Sequence, residues 1–469
     1  MRYSIVFGIF CFLATACGSS DPSKTEDTYQ PAADIATEDV EADVVPESDQ
    51  ADEDLFVQPS CEWLSELQPP VHHGVVYTGH FLSTDLVIAR IDGLKPIGQT
   101  ALEMGEYTHD MALDSERNLL AVVQDIARQV TLLQLSTPAS PADPFVAPTT
   151  VATLEIDNGD TPRFARFNVS TSWLYVLAGL PADAENQDSM NMHVYDLSSP
   201  ATPAKLGVFP VPTSVTFEID PLSSVMFLVG LLDKTLYLYD ITGAEPVLRP
   251  GTPVDLRALY PEENNSGFSV RNLTLDPWNG RLLAARSQGA FSEVIALNYP
   301  ASVANGTDDC PPRVDHDSFT KVDDYFDLSI PVEDRPNLLD AYSILPDTST
   351  GNSYFVADAW NGTESSALVI GLTSELEPAA GCSAFEGFGC WIQYFFDGEA
   401  GSQLRTDGAA CLDTTHEVVV ATSIAQYSEE EPGMLHFFKI QSDLQMVPWL
   451  QESNKSLTAG ALPVAVVCH

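Results

Sequence analysis

Positive charge is what this chain has least of. Against 67 aspartates and glutamates it sets 21 lysines and arginines over 469 residues, a formal net charge of −46. So acidic a surface repels a polyphosphate backbone, which excludes nucleic acid as a partner and favours cations or basic proteins, or simply solubility. No Cys-x-x-Cys pair occurs, so thiol redox catalysis and a structural zinc site both lack their usual signature. Gly-x-Ser-x-Gly, His-Glu-x-x-His, a phosphate-cradling glycine loop and the kinase motif set are absent too, and no motif argues for an enzyme. The apolar run at residues 5–13 is too short to span a bilayer.

That run is preceded by Arg2 and followed by Ala14-Thr15-Ala16-Cys17, which gives the charge, apolar core and small-residue cleavage site of an export signal. The Ala-Thr-Ala-Cys junction resembles a bacterial lipobox, which implies that residues 1–16 are a lipoprotein signal peptide and that Cys17 is lipidated. Gly18 after the cysteine favours the outer membrane or cell surface of a Gram-negative bacterium, with the membrane reached through the lipid anchor only. Residues 17–58 hold a dense set of Asp and Glu with Lys24 as their one basic residue, and should form a disordered acidic tether.

Residues 59–469 carry a repeat. In Ser214-Val-Thr-Phe-Glu-Ile-Asp220 an alternating run ends in Asp, a turn follows, and two apolar runs come after it at 225–232 and 235–241. This pattern is a three-stranded antiparallel meander. The turn after the first strand recurs at Asp114, Ser170, Asp220, Asp276, Pro346 and Asp413, about 50 to 70 residues apart. Residues 71–92 look like second and third strands without a first, and residues 462–469 like a first strand without successors. The expected fold is all-β: a seven-bladed β-propeller whose ring is closed by the C-terminal strand, which removes exposed sheet edges.

The third strands and the turns after them, Leu86-Val-Ile-Ala-Arg-Ile-Asp92, Met192-His-Val-Tyr-Asp-Leu-Ser198 and Leu236-Tyr-Leu-Tyr-Asp-Ile-Thr242, resemble LVIVD repeats. Leu275-Asp-Pro-Trp-Asn-Gly-Arg-Leu-Leu283 is similar to the YVTN-like surface propellers. The resemblance implies a blade and an exported address, and brings no catalytic residues with it.

In a propeller the first strands line a central channel, and ligands sit at its mouth. Aligned on the recurring turn, these strands give one polar column: Asp110, Arg166, Thr216, Asn272 and Tyr342, with His109 and Arg271 beside it. Asp110, Arg166, Asn272 and Tyr342 are therefore the ligand-binding candidates, with Asp110 and Arg166 equally able to neutralise each other. His109, Asp110 and Arg271 are the candidates if the mouth is catalytic. His72, His73 and His80, near Pro69-Pro70, read as solvated rather than metal-binding. Asp315, Asp317 and Asp323 offer hard oxygen ligands for calcium, but their order departs from the helix-loop-helix template; no cofactor is expected, with Ca2+ the one open alternative.

Of the cysteines, Cys382 and Cys390 bracket a Gly-rich stretch and should pair locally, while Cys61 and Cys468 lie at the two ends of the expected ring and are candidates for a second disulfide. The functional expectation is a non-catalytic binding module for a protein, glycan or small molecule. The alternative is a lactonase-like propeller hydrolase with its site at the channel mouth.

Overall fold

The computed structural model describes residues 71–80, 83–92, 95–137, 146–179, 189–220, 224–231, 235–249, 253–256, 269–276, 281–288, 291–298, 319–321, 337–360, 365–373, 391–395, 404–405, 410–425, 433–440, 446–448, 457–460 and 463–469. The chain divides into two units, Met1–Gln58 and Pro59–His469, and every described residue lies in the second. Cys17, the acidic tether, Cys61, Cys382, Cys390 and the candidates Asp315, Asp317 and Asp323 lie outside the described residues. No helix among the described residues is long and apolar enough to cross a membrane.

The described strands form seven antiparallel sheets. The first joins Val75–His80, Asp85–Asp92 and Lys95–Glu103 to Pro463–Cys468. The second contains Asp110–Asp114, Leu119–Gln124, Gln129–Gln134 and Thr149–Glu155; the third Thr161–Asn168, Trp173–Gly179, Ser189–Asp196 and Ala204–Pro212. The fourth opens with Ser214–Asp220, the fifth with Ser269–Asp276, the sixth with Asn337–Pro346, and Ala410–Asp413 belongs to the seventh. These opening strands stand side by side in chain order, and Pro463–Cys468 lies against both Ala410–Asp413 and Asp110–Asp114. Its pairing with the first sheet is antiparallel, Tyr77 opposite Val467 and Thr78 opposite Val466.

Period-two alternation puts one set of side chains on each face of a sheet, and the sheets bury both faces against their neighbours. Met111 and Leu120 of the second sheet pack on Tyr77 and Ile88 of the first, whereas Ala112 and Leu119 pack on Ala165 and Leu174 of the third. Between the seventh sheet and the first, Val420, Leu435 and Phe437 meet Val76, Ile91 and Val466.

The recurring turn owes its Asp to hydrogen bonding. Asp114 Oδ1 accepts the Arg117 amide (3.0 Å), Asp413 Oδ1 the His416 amide (2.9 Å) and Asp347 Oδ1 the Ser349 amide (2.8 Å). Four residues after the first-strand carboxylate the backbone enters the left-handed region, at Asn118, Ser224 and Glu417, which tightens the hairpin. The same offset from Ser172 and Gly351, which also have positive φ, makes Asn168 and Asp347 the true counterparts of Asp114. The two looser turns are thus displaced from Ser170 by two residues and from Pro346 by one. Asn168 stands where the other turns have Asp, and Asp347 follows a proline, so neither shows the aliphatic–Asp pair on which an alignment by spacing relies. The Asp-x-Ser motif after the third strand has a like cause: Asp196 Oδ1 accepts the Ser198 amide at 2.8 Å, and Asp240 Oδ1 the Thr242 amide at 2.9 Å.

Cys468 is bonded to Cys411, with Cα atoms 5.6 Å apart, and not to Cys61. The two cysteines occupy the same level on adjacent inner strands, the seventh sheet's and the C-terminal one, and a single sulfur forms a single disulfide.

Candidate functional site

The inner strands begin at one rim, where the corrected register places Asp110, Phe164, Thr216, Asn272 and Ser343 at equivalent positions. Arg166 lies one pleat deeper, level with Glu218, on the face turned toward the fourth sheet. Its guanidinium still reaches back: Nη1 donates to Asp110 Oδ2 at 3.0 Å, and Nε donates to Glu218 Oε2 at 3.2 Å. The group lies 5.7 Å from the centroid of the Phe217 ring, a cation–π distance. Asp110 Oδ2 also accepts the Ala165 amide (3.0 Å) and Glu218 Oε1 the Ile219 amide (2.9 Å). Three sheets are bridged by one cation shared between two carboxylates.

Burial opposes the charge on Arg166, but Asp110 and Glu218 outweigh it and hold its pKa above the ordinary value. Burial wins at Glu218, whose pKa is raised despite Arg166. All three side chains remain about one-fifth exposed.

Beside this triad, Asp125 Oδ2 takes Arg163 Nη1 at 3.3 Å and lies 3.7 Å from His109 Nδ1. The His109 amide donates to Val123 O (2.8 Å), and its ring meets Phe164 edge-on at 5.8 Å between centroids. Burial lowers the His109 pKa, helped by Arg163 and resisted by Asp125 and Asp110, so this imidazole is neutral near neutral pH. Farther round the rim, Asn272 Nδ2 donates to Ser343 Oγ at 3.4 Å. Ser343 holds the position that spacing assigned to Tyr342. Arg271 and Tyr342 are placed by their strands, Ser269–Asp276 and Asn337–Pro346, with their side chains outside the described residues.

The structure thus joins Asp110 to Arg166, places His109 beside Asp125 and Asn272 beside Ser343, and adds Glu218, Asp125, Arg163 and Ser343. Glu218 could have been found from the sequence, because it is two residues beyond Thr216 and period two keeps both on one face. Asp125 follows a second strand, Leu119–Gln124, and carried no such signal.

The histidines depart from expectation. His80 is fully buried, and no side chain hydrogen-bonds to its ring nitrogens. Burial lowers its pKa to about 4. The reason is that Val75–His80 is an interior strand, flanked by Asp85–Asp92 and Pro463–Cys468. His72 and His73 lie near the opposite rim and are half-buried. Among the described residues no group of three or more His, Cys, Asp or Glu side chains is placed to hold a metal ion.

No family model and no curated protein matches the chain. Solved structures do. A protein named as a putative 6-phosphogluconolactonase from Bacteroides uniformis superposes with a TM-score of 0.51 at 10% identity, over 84% of this chain and 98% of that one. The chain is an all-β propeller. A functionally unknown protein from Desulfotomaculum acetoxidans (TM-score 0.48, 13% identity, 84% of this chain and 99% of that one) and a protein from Lactobacillus plantarum (0.49, 13%, 84% and 98%) are similar to a lesser degree. At such identities the likeness speaks for the propeller fold and not for an activity.

Proposed function

We propose that this propeller is a seven-bladed ring closed by its C-terminal strand, carried on a lipid-anchored acidic tether at the outer membrane or cell surface, and that it works as a non-catalytic binding module of LVIVD/YVTN-like type. The reading of the ring is supported by the pairing of Pro463–Cys468 with Val75–His80 and by its contact with the inner strands on both sides. The reading of function is carried by Arg166, whose guanidinium is held between Asp110 and Glu218. The rim holds two arginines against three carboxylates in fixed pairs, a polar surface suited to recognition by shape and hydrogen bonds.

The hydrolase alternative draws on His109, a neutral imidazole beside Asp125, which is the form a general base requires. The purified exported protein is to be screened for binding on glycan and protein arrays and for turnover of lactones and esters. Saturable binding without turnover is the expected result. Turnover abolished by His109→Ala or Asp110→Ala would overturn the binding-module reading and establish the hydrolase.

A further inference from the structure

The rim opposite the Asp110 cluster gathers four histidines from segments far apart in sequence: His72 and His73 before the first sheet, His416 in the seventh sheet's turn, and His469 after the C-terminal strand. His72 ties the first segment to the turn. Its amide donates to Thr415 Oγ1 at 2.9 Å, and its Nδ1 accepts the Thr414 amide at 3.2 Å, with Thr414 Oγ1 also at 3.2 Å. A ring nitrogen that accepts a main-chain N–H carries no proton of its own. Asp413 lies 3.8 Å from that nitrogen, but its carboxylate already takes the His416 amide at 2.9 Å and His416 Nδ1 at 2.7 Å.

His469 ties the same seam from the other side. Its main chain exchanges hydrogen bonds with Val75, 2.7 Å and 2.9 Å, and its ring Nε2 is 2.8 Å from Asn118 Oδ1. Because Asn118 Oδ1 only accepts, Nε2 carries the proton and Nδ1 is the bare nitrogen, buried without a partner. The His73 ring stands 5.0 Å away between centroids, Tyr77 6.3 Å. Gly74 keeps the segments close, since a Cβ there would come within 2.6 Å of Ile91 O and 3.0 Å of the His416 ring.

We propose that this seam is an acid-released latch: protonation of His72 and His469 frees residues 71–75 from the 413–416 turn, while the Cys411–Cys468 disulfide keeps the last strand tethered to the seventh sheet. The proposal rests on the ring reading given above. A proton on His72 Nδ1 sets two donors against each other at the Thr414 amide, and one on His469 Nδ1 is buried facing no acceptor. Each added charge also meets other imidazoles.

The groups around the seam divide between the two outcomes. Burial lowers the His72 pKa, Asp413 and Asp347 resist, and His416 and His73 assist. Burial takes His469 down to about 4, with His73 and His72 assisting. The Lys439–Glu417 pair next to His416 and the Arg117–Asp114 pair next to Asn118 are internally neutral. Once the latch opens, the rings regain the ordinary pKa of about 6.5, so His469 alone shifts the equilibrium toward the open form about 30-fold at about pH 5.

Amide hydrogen exchange of the full exported chain tests this, read at about pH 7, 6 and 5 after correction for intrinsic rates. Protection of Val75, Thr414 and His469 should fall at least about 30-fold by about pH 5 relative to Leu119–Gln124. In the double variant His72→Asn with His469→Gln, Asn Oδ1 accepts the Thr414 amide and Gln Nε2 donates to Asn118, so protection should stay level. The latch is wrong if the wild-type seam keeps pace with Leu119–Gln124 down to about pH 5, or if the variant loses protection in parallel with the wild type. Should the variant misfold, the wild-type series decides alone. A seam unprotected already at about pH 7 would refute the ring reading instead.

Discussion

Cys411 and Cys468 sit at one level on neighbouring inner strands, bonded with Cα atoms 5.6 Å apart and 57 residues apart in sequence. In the chain-entropy account a loop of that length contributes about 4 kcal/mol. Cys468→Ser should therefore lower the thermal midpoint under oxidising conditions, and reductant should narrow the gap between variant and wild type. Non-reducing peptide maps should show Cys411 linked to Cys468; a peptide joining Cys468 to Cys61 would overturn the pairing.

Removing the shared cation at the rim leaves two carboxylates facing each other. Arg166→Met should destabilise the protein by about 3 kcal/mol at neutral pH, the range for breaking a partly buried pair. Glu218 already has a raised folded-state pKa, so the folded state holds its proton after the unfolded state has lost it, and stability falls as pH rises through that window. The deficit should accordingly be smaller at about pH 5 than at about pH 8. Denaturant titrations at both values check it, and an equal deficit would contradict the geometry.

Acid should weaken the fold despite the net charge of −46. Burial lowers His80 and His469 to about 4 and His436 to about 3. Unfolded histidines take protons near pH 6.5, so below that value the unfolded state holds more protons and stability drops with pH, by about 1.4 kcal/mol per pH unit for each histidine. Urea midpoints at about pH 7, 6 and 5 should decline, and a rising series would show that relief of carboxylate repulsion dominates.

Ser172 has a φ of 60°, in the left-handed region that a β-branched side chain resists. Ser172→Gly should be more stable than Ser172→Val by more than about 1 kcal/mol. Equal midpoints for the two would show that the turn relaxes.

The Ala14-Thr15-Ala16-Cys17 junction makes a prediction about address. Cys17→Ser should move the protein from the membrane pellet to the soluble exported fraction. If both forms partition alike, the lipobox reading fails.

The sequence by itself determined the all-β class, because alternation at period two and a carboxylate at each hairpin are local signals, decided within about ten residues. It also marked Asp110, His109 and Asn272 as rim residues through their offset from Asp114 and Asp276. It could not place Arg166 and Ser343, since Phe167-Asn168 and Pro346-Asp347 lack the aliphatic–Asp pair that marks the turn in the other blades. Nor could it choose the partner of Cys468: ends of the chain suggested Cys61, although Cys411 stood in the same column of the repeat. Only the tertiary structure decided that pairing, the bridging of Asp110 and Glu218 by Arg166, and the gathering of His72, His73, His416 and His469. Each depends on which sheets become neighbours, and that is set by burial of both faces of every sheet across the whole chain rather than by any short stretch of it.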